Sequence, residues 1–184
     1  MSIDNIIFLL IVGVLFLYII LALVRSLRLV PARMEFIVER FGRYNTTLGA
    51  GFHFLIPFVD RVAFTQDLKE HTMDVPPQTC FTKDEIQVEV DGVIYLQVID
   101  SQKASYGITD FQYASIQLAQ TTTRAIIGTL DLDRTFEERE AISGKVVSVL
   151  DSAAAKWGVK ILRFEIKNLV PPESVRQSME KQVT

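Results

Sequence analysis

The chain has 184 residues, 49% of them hydrophobic and 22% charged, with a net charge of −3 and a mean hydropathy of +0.26. So apolar a chain excludes intrinsic disorder, a single cysteine excludes a disulfide framework, and an isoelectric point of 5.4 argues against nucleic acid, whose phosphates need a basic surface. The length fits one ordinary domain with an appendage, or two small domains.

The apolar excess lies at the front. No charge occurs from Asn5 to Val24, and Ile6, Leu10, Leu15, Ile20 and Val24 mark a continuous apolar stretch. As a helix it spans about 28 Å, close to a bilayer core of about 30 Å. A cleaved signal peptide would carry a basic n-region, a shorter apolar core and a small-x-small cleavage site. Here Asp4 precedes the stretch and Ala22-Leu23-Val24 is a poor cleavage site. A buried core helix is the other alternative, disfavoured by the length. Residues 1–28 are therefore expected to be a retained membrane anchor. Arg25, Arg28, Arg33, Arg40 and Arg43 follow it and no Lys or Arg precedes it. The positive-inside rule then puts the N-terminus outside and the main domain in the cytoplasm, with a cell inner membrane as the default. Arg25 and Arg28 are expected to contact headgroups.

After Pro31, Met34–Arg40 reads as a strand and Tyr44–Gly51 as a turn-rich link. Phe52, Phe54, Leu55, Ile56 and Phe58 then crowd a loop-like stretch. It reads either as a core strand or as a wedge dipping into the near leaflet, with His53 close to the headgroups. Arg61–Asp67 and His71–Val75 read as short strands, the second ended by Pro76-Pro77. Ile86–Ile99 alternates strictly, with Val88, Val90, Ile94, Leu96 and Val98 on one face and Glu89, Asp91, Tyr95 and Gln97 on the other. Such a period marks a half-buried antiparallel strand, and Gly92 within it predicts a bulge or bend.

Helical texture follows. Asp110–Ile127 is expected to be a helix, capped at Thr109 or Asp110 and stopped by Gly128, with Phe111, Ala114, Leu118, Ala125 and Ile126 buried. A second is expected from Phe136 to Lys156, with Thr135 and Glu138 as a capping box and Leu132, Phe136, Ser143, Val146, Val147, Leu150 and Ala154 inward. Trp157-Gly158 closes it. Val159–Val170 alternates again, with Leu162, Phe164 and Ile166 inward and Arg163, Glu165 and Lys167 outward. Pro171-Pro172 opens a last helix carrying Glu173, Arg176, Glu180 and Lys181. The sum is α+β: an anchor, a small antiparallel sheet packed on helices over 29–170, and the start of a C-terminal helix over 171–184 that looks truncated.

Catalytic chemistry is hard to place on this sequence. There are two histidines, His53 and His71, and one cysteine, with no His-x-x-x-His or Cys-x-x-Cys pair to suggest zinc. Phosphate-cradling glycine loops and a Gly-x-Ser-x-Gly elbow are absent. Ser143-Gly144-Lys145 reads as a small residue in a packed helix beside a solvated lysine. Asp131, Asp133, Glu137, Glu138 and Glu140 read as helix-start chemistry on a wet face, and Cys80 as a buried small hydrophobe. The expectation is a non-enzyme without metal or cofactor.

Several blocks carry a resemblance: Gly42-Arg43-Tyr44, Gly51 through Asp60, Thr82-Lys83-Asp84, Val90 through Tyr95, Lys103 through Gly107, Gln117 through Arg124, Trp157 through Lys160, and Pro171-Pro172. In this order they resemble the SPFH (stomatin/prohibitin/flotillin, band 7) family, slipin branch, and within it the paraslipins. The resemblance covers about Leu29 to Gln182. It implies a homo-oligomeric membrane scaffold that forms rings or cages on one leaflet, organises lipid microdomains and restrains membrane proteases or other membrane partners. It implies contact with cardiolipin, hopanoids or sterol-like lipids, and an NfeD-type membrane protein as a first partner. The Phe52–Phe58 segment would be its membrane-contacting loop. Arg163, Glu165 and Lys167 read as a subunit contact or, equally, as a solvated strand face. The family continues into a long coiled coil, and this chain ends where that helix begins. A small-complex regulatory subunit of one membrane protease or channel is the alternative function.

Overall fold

The computed structural model describes residues 3–182, and the chain divides into two units, Met1–Asp67 and Leu68–Thr184. The division falls inside the segment that the sequence treats as one domain.

The first unit begins with helix α1 (Ile3–Ser26). Its stretch Ile7–Ser26 is long and apolar enough to cross a membrane, and it is not buried within the protein, unlike the core helix of a soluble domain. Leu10, Leu15, Ile20 and Val24 are all exposed; Ile6 lies in the helix, with its side chain outside the described residues. The helix passes directly into strand β1 (Leu27–Val30), and the Ser26 hydroxyl closes its last turn by donating to the Ala22 carbonyl at 2.8 Å. The remaining strands are β2 (Met34–Arg40), β3 (Arg43–Leu48), β4 (Gly51–Phe54) and β5 (Asp60–Asp67). β1 pairs antiparallel with β4, and a separate sheet has the order β3-β2-β5. Val30, Val38, Leu48 and Leu55 form a small core between them. The Tyr44–Gly51 link is thus mostly strand. Its polar residues lie on β3, an edge strand, where one face stays in water.

The second unit is α+β in the ordinary sense. Strands β6 (Glu70–Phe81), β7 (Gln87–Val98) and β8 (Val159–Val170) form one antiparallel sheet in that order. Helices α2 (Ser101–Tyr106), α3 (Phe111–Ile127), α4 (Leu132–Glu137) and α5 (Arg139–Ala154) lie between β7 and β8 in the chain, and α6 (Glu173–Gln182) follows. α5 packs on β8, and α3 packs on α5 and β6. Ile94, Leu96, Ile142, Val146, Leu150 and Ile161 make the centre of the core. The β7 alternation is as expected, and the ladder to β8 shifts at Asp91/Gly92, so the bulge at Gly92 is real. Gly158 ends the turn after α5 with φ of 67°; a Cβ there would lie 2.4 Å from the Asp100 carbonyl, so only glycine fits.

The structure departs from the sequence at several points. β6 does not stop at Pro76-Pro77 but runs through it. The prolines occupy a bulge between Val75 and Gln78 on an edge strand, where no ladder N–H is lost. The Pro76 carbonyl is met instead by the Gln120 amide of α3 at 3.2 Å. On β8, Leu162 points outward and Ile161 inward, because a second bulge opposite Tyr95/Leu96 inserts one residue and flips the parity before Phe164. The buried row of α3 is Ser115, Ala119, Thr123 and Ile127, one step round from the expected stripe, and Ala125 is exposed. Small residues let the helix approach closely, while Phe111, Leu118 and Ile126 flank the contact.

The expected second helix is two helices. Thr135 is not an N-cap. It lies inside α4, and its hydroxyl donates to the Asp131 carbonyl at 2.9 Å. The chain breaks at Glu138 (φ −100°, ψ 27°). The start of α4 is capped from far away: the Leu132 N–H donates to an Asp84 carboxylate oxygen at 3.2 Å, and Asp84 also accepts from the Thr82 hydroxyl. These bonds hold the Asp84 carboxyl below the usual carboxylate range, the Thr82 bond contributing most. Ser143 is half-buried and Ile142 fully buried, so the inward face of α5 is Ile142, Val146, Leu150 and Ala154.

Candidate membrane-facing surface

The first unit carries its apolar side chains outward. In the β1–β4 ribbon Leu27 is paired with Phe54 and Leu29 with Phe52. Side chains alternate along a strand, so these residues share one face, and all are exposed. Arg28 and His53 are paired on the opposite face, where the His53 ring lies 2.7 Å from the Gly49 carbonyl through Nε2.

The turn after β4 adds Ile56 and Phe58. Phe58 is 81% exposed, with φ of 66°, and its ring stacks on Tyr18 of α1 at 6.2 Å between centroids. A left-handed backbone at a bulky residue costs free energy and persists only where the surroundings fix it. Asp60 fixes it here. Its carboxylate receives both Nε and a terminal nitrogen of Arg40, at 2.7 and 3.1 Å, and the Ile56 N–H at 3.0 Å. The Arg40 guanidinium holds the Asp60 carboxyl below its ordinary range despite opposing burial. Leu55 is the exception among the five expected contact residues. It is 7% exposed and packs in the small core with Val30, Val38 and Leu48, because the Leu55 N–H bonds the Ser26 carbonyl and turns the side chain inward.

Sequence reasoning missed Leu27, Leu29 and Phe41. Phe41 forms the β2–β3 turn with Gly42, both at positive φ (50° and 76°), and is 80% exposed. A two-residue turn of this kind favours Asn-Gly or Gly-Gly, so a phenylalanine there is a strained and solvent-facing apolar group at once. Its neighbour Arg40 is ladder partner to Asp60, which puts Phe41 and Phe58 at the same end of the β3-β2-β5 sheet. The signal for Phe41 was an aromatic immediately before a turn glycine, flanked by arginines.

Arg25 and Arg28 are exposed at the end of α1 and in β1, and make no ion pair among the described residues. Arg163 lies over the Tyr95 ring at 4.0 Å and 3.6 Å from Glu165, and Lys167 pairs with Asp74 at 3.0 Å, so this charged strand face is neutralised within the chain. Among the described residues no group of three or more His, Cys, Asp or Glu is arranged to hold a metal ion. Cys80 is buried, and burial pushes its thiol up, away from nucleophilic thiolate chemistry.

An exposed apolar helix continuous with small antiparallel sheets, and a second α+β unit behind them in the chain, define a membrane-associated SPFH-type protein. The sequence agrees: residues 28–184 match the family described as SPFH domain / Band 7, and the chain belongs to it. It is 44% identical over 154 residues to human "Stomatin-like protein 2, mitochondrial", an alignment covering 84% of this chain and 43% of that protein. It is 40% identical to "Stomatin-like protein stl-1" of Caenorhabditis elegans over 84% of this chain and 48% of that protein. A Mycobacterium bovis protein, "Uncharacterized protein Mb1524", is 36% identical over 93% of this chain and 45% of its own length. The chain thus spans less than half the length of these relatives.

Proposed function

We propose that this chain is the membrane-seated part of a homo-oligomeric scaffold rather than an enzyme. In this reading α1 anchors it in a cell inner membrane with the N-terminus outside. The first unit rests on the leaflet it faces, and many copies form a ring or cage that organises lipid microdomains and restrains a membrane protease or another membrane partner, an NfeD-type protein among them. The single observation that carries it is the outward apolar surface of Leu27, Leu29, Phe52, Phe54, Ile56 and Phe58, directly continuous with α1. Monomeric soluble proteins rarely expose contiguous apolar groups on this scale, and beside an anchor the nearest apolar phase is the bilayer. Phe41 adds a further contact in the same reading. The family membership and the stomatin-like relatives support the scaffold role.

The test is a Phe54→Trp chain in lipid nanodiscs containing brominated acyl chains. Quenching of the new indole, equal to or above that of Phe58→Trp, is expected; emission matching a water-exposed indole, unquenched, overturns the seated-domain reading. Particle mass of the full-length protein after mild detergent extraction tests the assembly. A closed ring of many copies is expected, and a small complex of fixed low stoichiometry would favour a regulatory subunit instead.

A further inference from the structure

In the second unit β8 is an edge strand, and its open side borders a cavity of about 630 Å3. The lining is residues 162–166 of β8 and a face of α5 that includes Ser143, Gly144 and Val147. Successive side chains point to opposite faces of a strand, so five consecutive residues share one cavity along the strand's edge. No side chain among the described residues bonds the backbone there. The edge is guarded on either side of that stretch. Before it, the Ile161 N–H donates to the Asp151 carboxylate at 3.1 Å and the ladder slips at Leu162. After it, the ladder slips again, and the Asn168 N–H is held by Asp91 at 2.7 Å. Between the two, Arg163, Phe164, Glu165 and Ile166 keep continuous register with Tyr95, Ile94, Val93 and Gly92. Bulges and blocking side chains are how sheets protect an edge, and these four residues have neither. Gly144 stands over them inside α5, where glycine is less stable than alanine. A Cβ there would meet nothing within 4 Å, so no contact in this chain requires glycine at that position.

An open edge takes another strand through main-chain hydrogen bonds. A second copy of this chain fits poorly in antiparallel register. α5 packs on β8 itself and α3 on β6, so each copy would bring an α5 over its own edge strand. On one face of the joined sheet the two helices would lie about one strand spacing apart, ~4.8 Å, against the roughly 8–10 Å that packed helices need. A bare extended segment brings no such helix. We propose that residues 163–166 accept, by antiparallel strand addition, an extended segment of a partner protein that reads base–aliphatic–acid. Its base lies opposite Glu165 and its acid opposite Arg163, two side chains more than half exposed and 3.6 Å apart. Opposite charges directly across a ladder stabilise the pairing. The aliphatic residue lies opposite Phe164, on the face covered by α5, where Gly144 leaves room for it. The site belongs wholly to the second unit and does not depend on how the first unit meets a membrane.

The experiment uses the full chain in detergent and a fluorescent, acetylated probe peptide, Ser-Val-Lys-Val-Asp-Val-Ser, with binding read by anisotropy. The control peptide exchanges the two charges, Ser-Val-Asp-Val-Lys-Val-Ser, at the same composition. The probe should bind about tenfold more tightly than the control, since it gains two cross-strand charge pairs where the control sets like charges together. Gly144→Gln should abolish binding while the melting temperature holds or rises, because the new side chain fills the notch and favours the helix. Exchanging the charges on the strand, Arg163→Glu together with Glu165→Arg, should invert the preference between the two peptides. Equal binding of probe and control, binding unchanged in Gly144→Gln, or a preference that the exchange does not invert each overturns the proposal. Refusal of both peptides overturns it as well, and a lower particle mass for Gly144→Gln would then give the edge to a second copy of the chain.

Discussion

The two units handle apolar side chains in opposite ways. Residues 68–184 bury Ile94, Leu96, Ile142, Val146, Leu150 and Ile161 in one core and pair surface charges such as Lys167 with Asp74 and Lys160 with Asp151. Residues 1–67 bury little beyond Ile37 and the small core of Val30, Val38, Leu48 and Leu55, and present Leu29, Phe41, Phe52, Phe54 and Phe58 to their surroundings. Composition does not force this contrast, because both units contain ample apolar residues. In the seated-domain reading proposed above, the difference lies in what each surface meets: water around the second unit, an apolar phase around part of the first. Core truncation should therefore dominate the energetics of one unit, and membrane partition those of the other.

The sharpest test of that division starts in the second unit. Leu150 of α5 is buried in the core of that unit, so Leu150→Ala should destabilise it by about 2–5 kcal/mol, the transfer cost plus that of the cavity left behind. Denaturant unfolding of the full chain in detergent, followed by the fluorescence of Trp157, measures it. Phe54→Ala in the first unit should shift the same curve by under about 1 kcal/mol, since a side chain more than half exposed has little burial to lose. A large shift for Phe54→Ala would mean that its ring is packed on protein after all, and the comparison would break.

In the first unit the corresponding large effect is insertion. Leu15 lies mid-helix, and Leu15→Arg should cost about 2.5–3.5 kcal/mol of membrane insertion while leaving the folding of residues 68–184 untouched. Alkaline extraction of membranes, with the protein found in the supernatant instead of the pellet, reads this out. Resistance to extraction in that variant would show that residues outside α1 hold the protein in the membrane.

Acid should act on both units through paired carboxylates. Asp60 is held below its ordinary value of 3.8 by the Arg40 hydrogen bond, Asp84 by the Thr82 bond and Asp151 by the Lys160 bond. A carboxylate whose folded pKa is depressed contributes stability above the unfolded pKa and loses it as pH falls through the folded one. Stability should therefore be flat from neutrality down to about pH 5 and then fall, with Asp84→Asn and Asp151→Asn each flattening the fall. Melting temperatures measured from pH 7 to pH 3 check it; an unchanged acid limb in both variants would assign acid sensitivity to other groups.

Much of this fold is legible from periodicity. Met34–Arg40 and Val159–Val170 are strands at the residues expected, and Asp110 caps α3, accepting from the Tyr113 N–H at 2.9 Å. The failures share a cause, namely partners distant in sequence. Leu162 faces outward because of a bulge set by its pairing with β7, which no local pattern of β8 contains. Asp84 caps α4 from a loop before β7, so Thr135, the nearer candidate, is left without that role. Pro76-Pro77 reads as a stop until an edge position and the Gln120 amide are known. At the candidate site, the run of aromatics from Phe52 was visible, whereas Leu27 and Leu29 join it only through the β1–β4 register. Leu55 leaves the site through one backbone bond to Ser26.

The smallest expected effect concerns the charged face of β8, where stability and assembly separate most cleanly. Arg163 is more than half exposed, lies over Tyr95 and is only loosely paired with Glu165. Exposed ion pairs and exposed cation–π contacts are each worth at most about 1 kcal/mol, so Arg163→Ala should barely move the unfolding midpoint. If this face serves only the chain it belongs to, particle mass after extraction should also stay unchanged. If copies of the protein meet there, each subunit loses a contact that is repeated around the whole assembly. A deficit too small to register in one chain then multiplies, because each bound neighbour raises the effective concentration of the next. A fall in particle mass without a fall in stability would thus assign Arg163, Glu165 and Lys167 to the interface between neighbours. Unchanged mass would assign them to the solvated exterior of the second unit, and the search for the subunit contact would move to the open edges of its sheet.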